Sequence, residues 1–531
     1  MGITDGRHGD GPNQTPEPSP ADVPEAFQRS RLWQPDLIVF VSSGCIMILE
    51  LVAGRIIAPY VGVSLYTWTS VIGVVLAGIS LGNYLGGWLA DRSASLRLLG
   101  GILLLAGLAS CGILAVDALG GRLPGNWPIV VEILVLTAAL FLVPCIILGT
   151  ISPIVAKLAV RDLARTGRTV GRIYAAGSVG SIAGTFATGF VLISWLGTHI
   201  IVWGVAVTLL LMGLLFLVRG QLVWMALGTL LLAGGTLLVT QQGWLSGPCT
   251  RETNYFCIKV HEEERDGGAV QILTLDRLVH SYTSLDDPTK LVYGYEQIYA
   301  ELTAYRAQSD DHLAALFIGG GGYTFPRYME ALYPGSDIHV VEIDPGVTAV
   351  AHDLLGLSQD SAIVTYNQDA RFFLEQPPVS TYDLVMGDAF NDFSVPYHLT
   401  TKGFNDRVRA WLAADGLYFV NIIDGPRSDF LRAYIHTLRQ TFRHVYVAPT
   451  IESWREATRS TFVLIASDAP LDLTALESLD AGDGFALLAE RILSPREVDS
   501  LLDEGRLVTL TDRYAPVDQM LAPVFREEVS R

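Results

Sequence analysis

Apolar runs dominate the chain up to about residue 243 and then give way to shorter, mixed segments. Seven stretches, Leu37–Ala58, Thr69–Ala90, Leu96–Ala118, Ile129–Thr150, Ile173–Trp195, Ile200–Val218 and Val223–Thr240, are each about long enough to cross a bilayer at ~1.5 Å rise per residue. In series they predict a multi-pass helical membrane domain of about seven spans over residues 36–243. Residues 1–35 are rich in Pro, Gly and Asp and lack an apolar core, which predicts a disordered tail rather than a signal peptide. After Asn254 the pattern changes. Tyr255–His261 and Val270–Asp276 predict a β-hairpin around Asp266-Gly267-Gly268, and Pro288–Arg306 reads as a helix. Apolar strands at Ala314–Ile318, Ile338–Ile343, Ile363–Tyr366, Asp383–Met386 and Gly416–Ile423 then alternate with helices. Two strands close in sequence, His444–Ala448 and Ser460–Ile465, suit an antiparallel edge. This alternation predicts a doubly wound α/β domain over residues 250–470, followed by a helical extension over 471–531.

Composition narrows the class. The 531 residues are 50% hydrophobic and only 17% charged, which excludes a disordered protein. A net charge of −18 argues against a nucleic-acid partner. The charges that remain are placed unevenly. Lys157, Arg161, Arg165, Arg168 and Arg172 cluster after the fourth stretch, Arg92 and Arg97 follow the second, Arg219 follows the sixth, and Arg29 and Arg31 precede the first. The alternate loops, Pro59–Trp68 and Gly197–His199, carry no Lys or Arg. The positive-inside rule makes the basic side cytoplasmic, so in an inner membrane an odd span count puts the C-terminal domain outside. One span more or fewer reverses that expectation.

Within the apolar stretches, Glu50 and Arg55 share the first, Asn83 lies in the second and Glu132 in the fourth. Such groups line a transport path, pair with one another or with a neighbouring helix, or reach to the surface, as a long arginine does. The spacings Gly78/Gly82/Gly86 and Gly177/Gly180/Gly184 predict close helix packing. The five cysteines form no zinc-type repeat. Cys249 and Cys257 are either a disulfide, in keeping with an outside location, or two buried thiols.

Candidate chemistry gathers at the carboxyl ends of the first four α/β strands. Gly319-Gly320-Gly321-Gly322 follow the first, where missing Cβ atoms let a ligand approach the backbone. Glu342 ends the second, in the position from which an acid binds ribose hydroxyls. Asp369 follows the third and has the chemistry to accept from an adenine amino group, and Asp388 ends the fourth. Thr324 stands where a dinucleotide fingerprint needs its third glycine, and no P-loop Lys-Ser/Thr follows. A nucleoside without pyrophosphate, such as an adenosyl-sulfonium compound, fits this pattern. Acids solvated in loops of a nucleotide-type fold are the other reading.

Phe317-Ile-Gly-Gly-Gly-Gly322, Val341-Glu-Ile-Asp344, Asn367-Gln-Asp-Ala-Arg371 and Tyr382-Asp-Leu-Val-Met-Gly-Asp388 resemble the spermidine synthase (polyamine aminopropyltransferase) family over about Asn254–Ile465. The layout as a whole resembles membrane-fused spermidine synthase-like proteins of bacteria. The resemblance implies a class I methyltransferase-like (Rossmann-like) fold. It also implies transfer of an aminopropyl group from decarboxylated S-adenosylmethionine to an amine such as putrescine, with methylthioadenosine leaving and no metal. Glu342 would hold the ribose and Asp369 the adenine, in a site lined by Gly319, Gly320, Gly321 and Ala370. Asp388 would take the proton of the attacking amine, with Tyr295 and Asp392 on the substrate. The partners implied are a polyamine and the lipid bilayer, with a second copy of the chain left open.

The chain departs from that family at several positions. Gly322-Tyr323 replace an Asp-Gly pair, removing an acid that holds the aminopropyl or amine end. Arg277 and His280 replace a Gly and a Gln, and Asn391 stands where the second acid belongs, with Asp392 beside it. Tyr293, Tyr295 and Glu296 are only roughly similar to the family's Tyr-x-Glu helix motif. Two other functions remain open at this stage: an S-adenosylmethionine-dependent methyltransferase, and a transporter or sensor whose domain binds polyamine or nucleoside without reacting.

Overall fold

The computed structural model describes residues 34–120, 127–160, 162–218, 222–241, 243, 245–265, 268–309, 312–390, 395–479 and 487–527. Residues 1–33 of the expected tail, and Asp392, lie outside the described residues, and Pro35, the last residue of that tail, already opens the first helix. Among those described, six helices are long and apolar enough to cross a membrane: Pro35–Val61, Leu65–Ser93, Leu96–Ala118, Val130–Ala159, Leu163–Trp195 and Thr198–Val218. A further helix, Leu222–Gln241, occupies the place of the seventh expected span, but its apolar part, Met225–Leu238, is shorter than the other six. The fourth and fifth helices run beyond their apolar stretches. Lys157 sits in a last helical turn, where a cation complements the carbonyl end of the helix dipole, so the helix continues to Ala159. The fourth also carries a π-helical turn, Ala138–Leu142, just before Pro144, which lacks the amide hydrogen an α-turn would use.

The glycine spacings are packing devices. A Cβ on Gly180 would lie 2.1 Å from the Phe40 carbonyl oxygen, and one on Gly82 would lie 2.2 Å from that of Ile146. The first helix therefore meets the fifth, and the second meets the fourth, at backbone contact. Ion pairs mark one end of this bundle: Arg172 with Asp36 at 3.0 Å, and Lys157 with Asp91 at 3.0 Å. At the opposite end the buried pair His199–Asp117 closes at 3.0 Å, and the Tyr60 hydroxyl donates to the Asp117 carbonyl at 3.1 Å.

The α/β domain rests on that second end, away from the basic loops. Arg55 donates to the carbonyls of Thr253 and Asn254, at 2.7 Å to the latter, and faces Glu252 at 3.8 Å. Glu252 in turn accepts from the Thr198 amide at 3.0 Å, and Lys259 donates to the Pro59 carbonyl at 3.5 Å. Of the alternatives for Arg55, the structure selects an arm that leaves the bundle and holds the connecting chain, rather than a pair with Glu50. Cys249 and Cys257 are joined in a disulfide at the same junction.

A four-stranded antiparallel sheet follows: β1 (Arg251–Glu252), β2 (Cys257–Arg265), β3 (Gly268–Leu275) and β4 (Leu278–Thr283). The expected hairpin is β2–β3, with Arg265 opposite Gly268; β4 is an addition, turned tightly at Asp276, whose φ of 51° is left-handed. Helix Gly294–Ala307 starts six residues after the expected Pro288.

Seven strands then form the main sheet: β5 (Ala314–Ile318), β6 (Asp337–Val341), β7 (Val364–Tyr366), β8 (Tyr382–Gly387), β9 (Leu412–Asp424), β10 (His444–Pro449) and β11 (Ser460–Ser467). Their order is β10-β11-β9-β8-β5-β6-β7, parallel except for β11, which runs antiparallel to both neighbours. The central strands read as continuous apolar runs because helices cover both faces. The C-terminal helices Pro495–Asp503 and Val517–Glu527 add Leu501, Leu521 and Val524 to the core that contains Phe430 and Tyr434.

Candidate active site

The strand order reverses between β5 and β8, and the crevice at their carboxyl ends is where an open α/β sheet binds its ligand. Gly319 leaves β5 at φ 97°, and Gly321 follows at φ 49°, both in the region that glycine occupies without strain. A Cβ at Gly319 would also meet the Asp388 carbonyl oxygen at 2.6 Å, so β5 and β8 can approach only with glycine there.

A cavity of about 260 Å³ opens over this crevice. Gly319, Gly321, Glu342, Asp369, Ala370 and Asp388, six residues singled out from sequence, line it together. Gly320 and Tyr295 line a smaller pocket of about 20 Å³ beside it, which also shares Asp388. Asp388 thus stands between the two.

Each acid is held by a defined set of donors. The Glu342 carboxylate accepts from the amides of Gly320 at 2.8 Å and Asp344 at 2.9 Å, which fixes it under the glycine turn. Burial raises its pKa against the pull of those amides. Asp369 caps helix Ala370–Leu374 through the amides of Arg371 and Phe372, and its other oxygen meets His398 Nε2 at 3.2 Å. Asp388 accepts from Tyr295 Oη at 3.0 Å on one oxygen and from Asn421 Nδ2 at 2.9 Å on the other. Burial pushes its pKa up to about 7, although both hydrogen bonds pull the other way.

Residues that sequence reasoning passed over complete the site. Tyr255 and Phe256 wall the larger cavity, held by a turn in which both amides donate to Thr253 Oγ1 at 3.1 and 2.9 Å. Thr253 also donates to Asp344 at 2.5 Å, so the connecting chain is tied to the strand end that carries Glu342. Phe390, Tyr397 and His398 come from the segment after β8, and Asn421 from β9. Nothing in the local sequence pattern marks Asn421, because the pairing of β8 with β9 sets its position.

Several positions at which the chain departs from the resemblance, His280, Tyr295, Glu296 and Gly322, line the small pocket. His280 lines both pockets; its Nε2 is shielded from solvent and has no hydrogen-bond partner among the described residues, and burial lowers its pKa to about 4, so the ring is neutral. Glu296 is 2% exposed, and its Oε2 also has no partner among the described residues. Desolvation and the neighbouring Asp388 carboxylate hold its pKa well above the usual carboxylate range.

These features define a class: an α/β domain of the class I methyltransferase type, with a glycine turn after the first parallel strand, an acid at the end of the second and a carboxylate at the fourth. No family model matches the chain. It is 27% identical over 209 residues to the polyamine aminopropyltransferase of Vibrio vulnificus, covering 38% of this chain and 68% of that protein. It is 27% identical over 483 residues to polyamine aminopropyltransferase 2 of Streptomyces coelicolor, covering 86% of this chain and 85% of that one, so this likeness includes the apolar half. A solved structure of a probable spermidine synthase from Corynebacterium glutamicum matches 50% of this chain and 95% of its own at 20% identity, with a TM-score of 0.43. Within its class the chain is thus similar in sequence to proteins named polyamine aminopropyltransferases.

Proposed function

We propose that this protein is a membrane-bound aminopropyltransferase that uses decarboxylated S-adenosylmethionine and an amine acceptor of the putrescine type. The observation that carries the reading is Asp388: a carboxyl tuned to about 7, at the strand switch point, between a nucleoside-sized cavity and a small acid-lined pocket. In this reaction the acceptor nitrogen attacks the propyl carbon bonded to the sulfonium. The carbon–sulfur bond breaks with its electron pair passing to sulfur, and methylthioadenosine leaves neutral. The proton lost by the new secondary ammonium passes to Asp388. Tyr295 and Asn421 hold the two carboxylate oxygens in place while it waits. Glu342 binds the ribose hydroxyls, Asp369 and Ala370 the base, and Gly319, Gly320 and Gly321 let the sulfonium approach the backbone.

The apolar helices fix the setting. Their outward faces carry large apolar side chains, among them Leu76, Trp88, Phe190 and Trp195, which suits lipid contact. We infer an extracytoplasmic α/β domain; its docking on the end of the bundle opposite the basic loops supports this reading through the positive-inside rule. The Cys249–Cys257 disulfide is in keeping with it.

The test is turnover by the full-length protein in detergent or nanodiscs, with methylthioadenosine as the measured product. Asp388→Asn should abolish release while leaving methylthioadenosine affinity within about twofold. Unchanged turnover would refute the assignment.

A further inference from the structure

The small pocket lacks the acid expected at position 322, and the packing explains why none fits. A Cβ on Gly322 would lie 2.0 Å from Ser281 Oγ and 2.8 Å from Thr283 Oγ1. Thr283 is itself bonded to Thr324 Oγ1 at 2.8 Å, so hydroxyls fill the space a carboxylate would need. Among the residues that line this pocket there is no Lys or Arg, yet there are two carboxylates. Asp388 has both oxygens engaged by Tyr295 and Asn421. Glu296 keeps one oxygen without a partner, on a residue only 2% exposed. A buried carboxyl oxygen without a partner is costly; burial and Asp388 favour the protonated form of Glu296, and an ammonium beside it is the partner that stabilises the ionised form and offsets the cost.

We propose that Glu296, from helix Gly294–Ala307, supplies the carboxylate that position 322 lacks and holds a primary alkylammonium beside Asp388. The inference rests on the nucleoside reading of the larger cavity and adds the selectivity of the site. An arm ending in an ammonium is accepted, and one that also carries a carboxylate, as in S-adenosylmethionine itself, is repelled by Glu296 and Asp388. Two molecules could present such an ammonium: the donor's aminopropyl arm and the acceptor amine. The small pocket is the same for both, and experiment separates them.

The full-length protein is titrated with methylthioadenosine, which has no cation on its arm, then with decarboxylated S-adenosylmethionine, then with S-adenosylmethionine. Glu296→Gln keeps the shape of the side chain, and its thermal transition is followed to show that it folds. A charge-assisted hydrogen bond is worth about 1.5–3 kcal/mol, equivalent to a roughly 10- to 150-fold change in affinity. Glu296→Gln should therefore weaken decarboxylated S-adenosylmethionine by that factor and leave methylthioadenosine within about twofold. If donor affinity holds while the acceptor KM rises by the same factor at constant kcat, the ammonium is the acceptor's and the proposal stands with that source. If neither moves, the proposal is overturned. Adding Ser281→Gly and Gly322→Asp to Glu296→Gln makes room for an acid on the other wall, and should restore the lost affinity at least partly. Should the wild-type protein fail to bind methylthioadenosine, the nucleoside reading itself fails, a result distinct from an unaffected Glu296→Gln.

Discussion

Replacing Tyr295 by phenylalanine tests the role of Asp388 without touching its carboxyl. The tyrosine hydroxyl donates to one Asp388 oxygen at 3.0 Å, while its ring packs against Tyr293 and Tyr299 at centroid distances of 5.3 and 5.4 Å. Phenylalanine keeps those ring contacts and removes only the donor. That donor stabilises the charged carboxylate, and a hydrogen bond to a charged group is worth about 1.5–3 kcal/mol. At 1.36 kcal/mol per pKa unit, its loss raises the Asp388 pKa by about one to two units. The starting value is about 7, so the acid limb of kcat/KM should move from about 7 to about 8 or 9. The assay is methylthioadenosine release between about pH 5.5 and about pH 9.5. The variant should be slow at neutral pH and recover toward wild-type rates at the alkaline end, where its carboxyl is again ionised. An acid limb left in place with a normal plateau would show that Asp388 is not the group whose ionisation controls the rate.

Four further outcomes are expected. Stability of the α/β domain should fall as pH rises through the window from about 4 to about 7. Asp388 and Asp424 keep their protons in the fold up to about 7 against an ordinary 3.8, so the folded state binds more protons across that window and is most stable below it. Melting temperatures at either end check this, and Asp424→Asn should flatten the slope. Gly180→Val should separate the first and fifth helices, since its Cβ would meet the Phe40 carbonyl at 2.1 Å, and cost at least about 1–3 kcal/mol, read as lost yield or a lowered thermal transition in detergent. Arg55→Gln removes the donors that hold Thr253 and Asn254 and should weaken methylthioadenosine binding several-fold through the Tyr255–Phe256 wall; unaltered binding would show that wall to be held by Thr253 and the disulfide alone. A C-terminal alkaline phosphatase fusion should be active and a green-fluorescent fusion dark, the reverse of what a cytoplasmic domain would give.

Much of the architecture follows from local pattern. Apolar length marked seven stretches as spans, because burying a helix in lipid requires an uninterrupted run; among the described residues six of them are helices of crossing length and the seventh has a shorter apolar part. Strand β5 is found at its expected bounds, since both its faces are covered and all five of its residues are apolar. The glycine run, Glu342, Asp369 and Asp388 were legible because each sits at a strand end, where fold and chemistry share one position. Arg55 was not. Its charge was visible, but five residues of helix could equally have aimed it at Glu50, into lipid or out to the surface.

By itself, then, the sequence determined the order of elements, the two-part layout and the acids at the strand ends, all of which are set by runs and spacings along one chain. The tertiary structure alone decided what those acids face. Tyr295 reaches Asp388 from 93 residues away and Asn421 from 33. The hydroxyls of Ser281 and Thr283 occupy the space beside Gly322, and Glu296 is left as the acid with a free oxygen in the pocket. Burial is a property of the packed whole: a carboxyl's pKa and its need for a cation depend on which surfaces exclude water from it, and no local spacing records that.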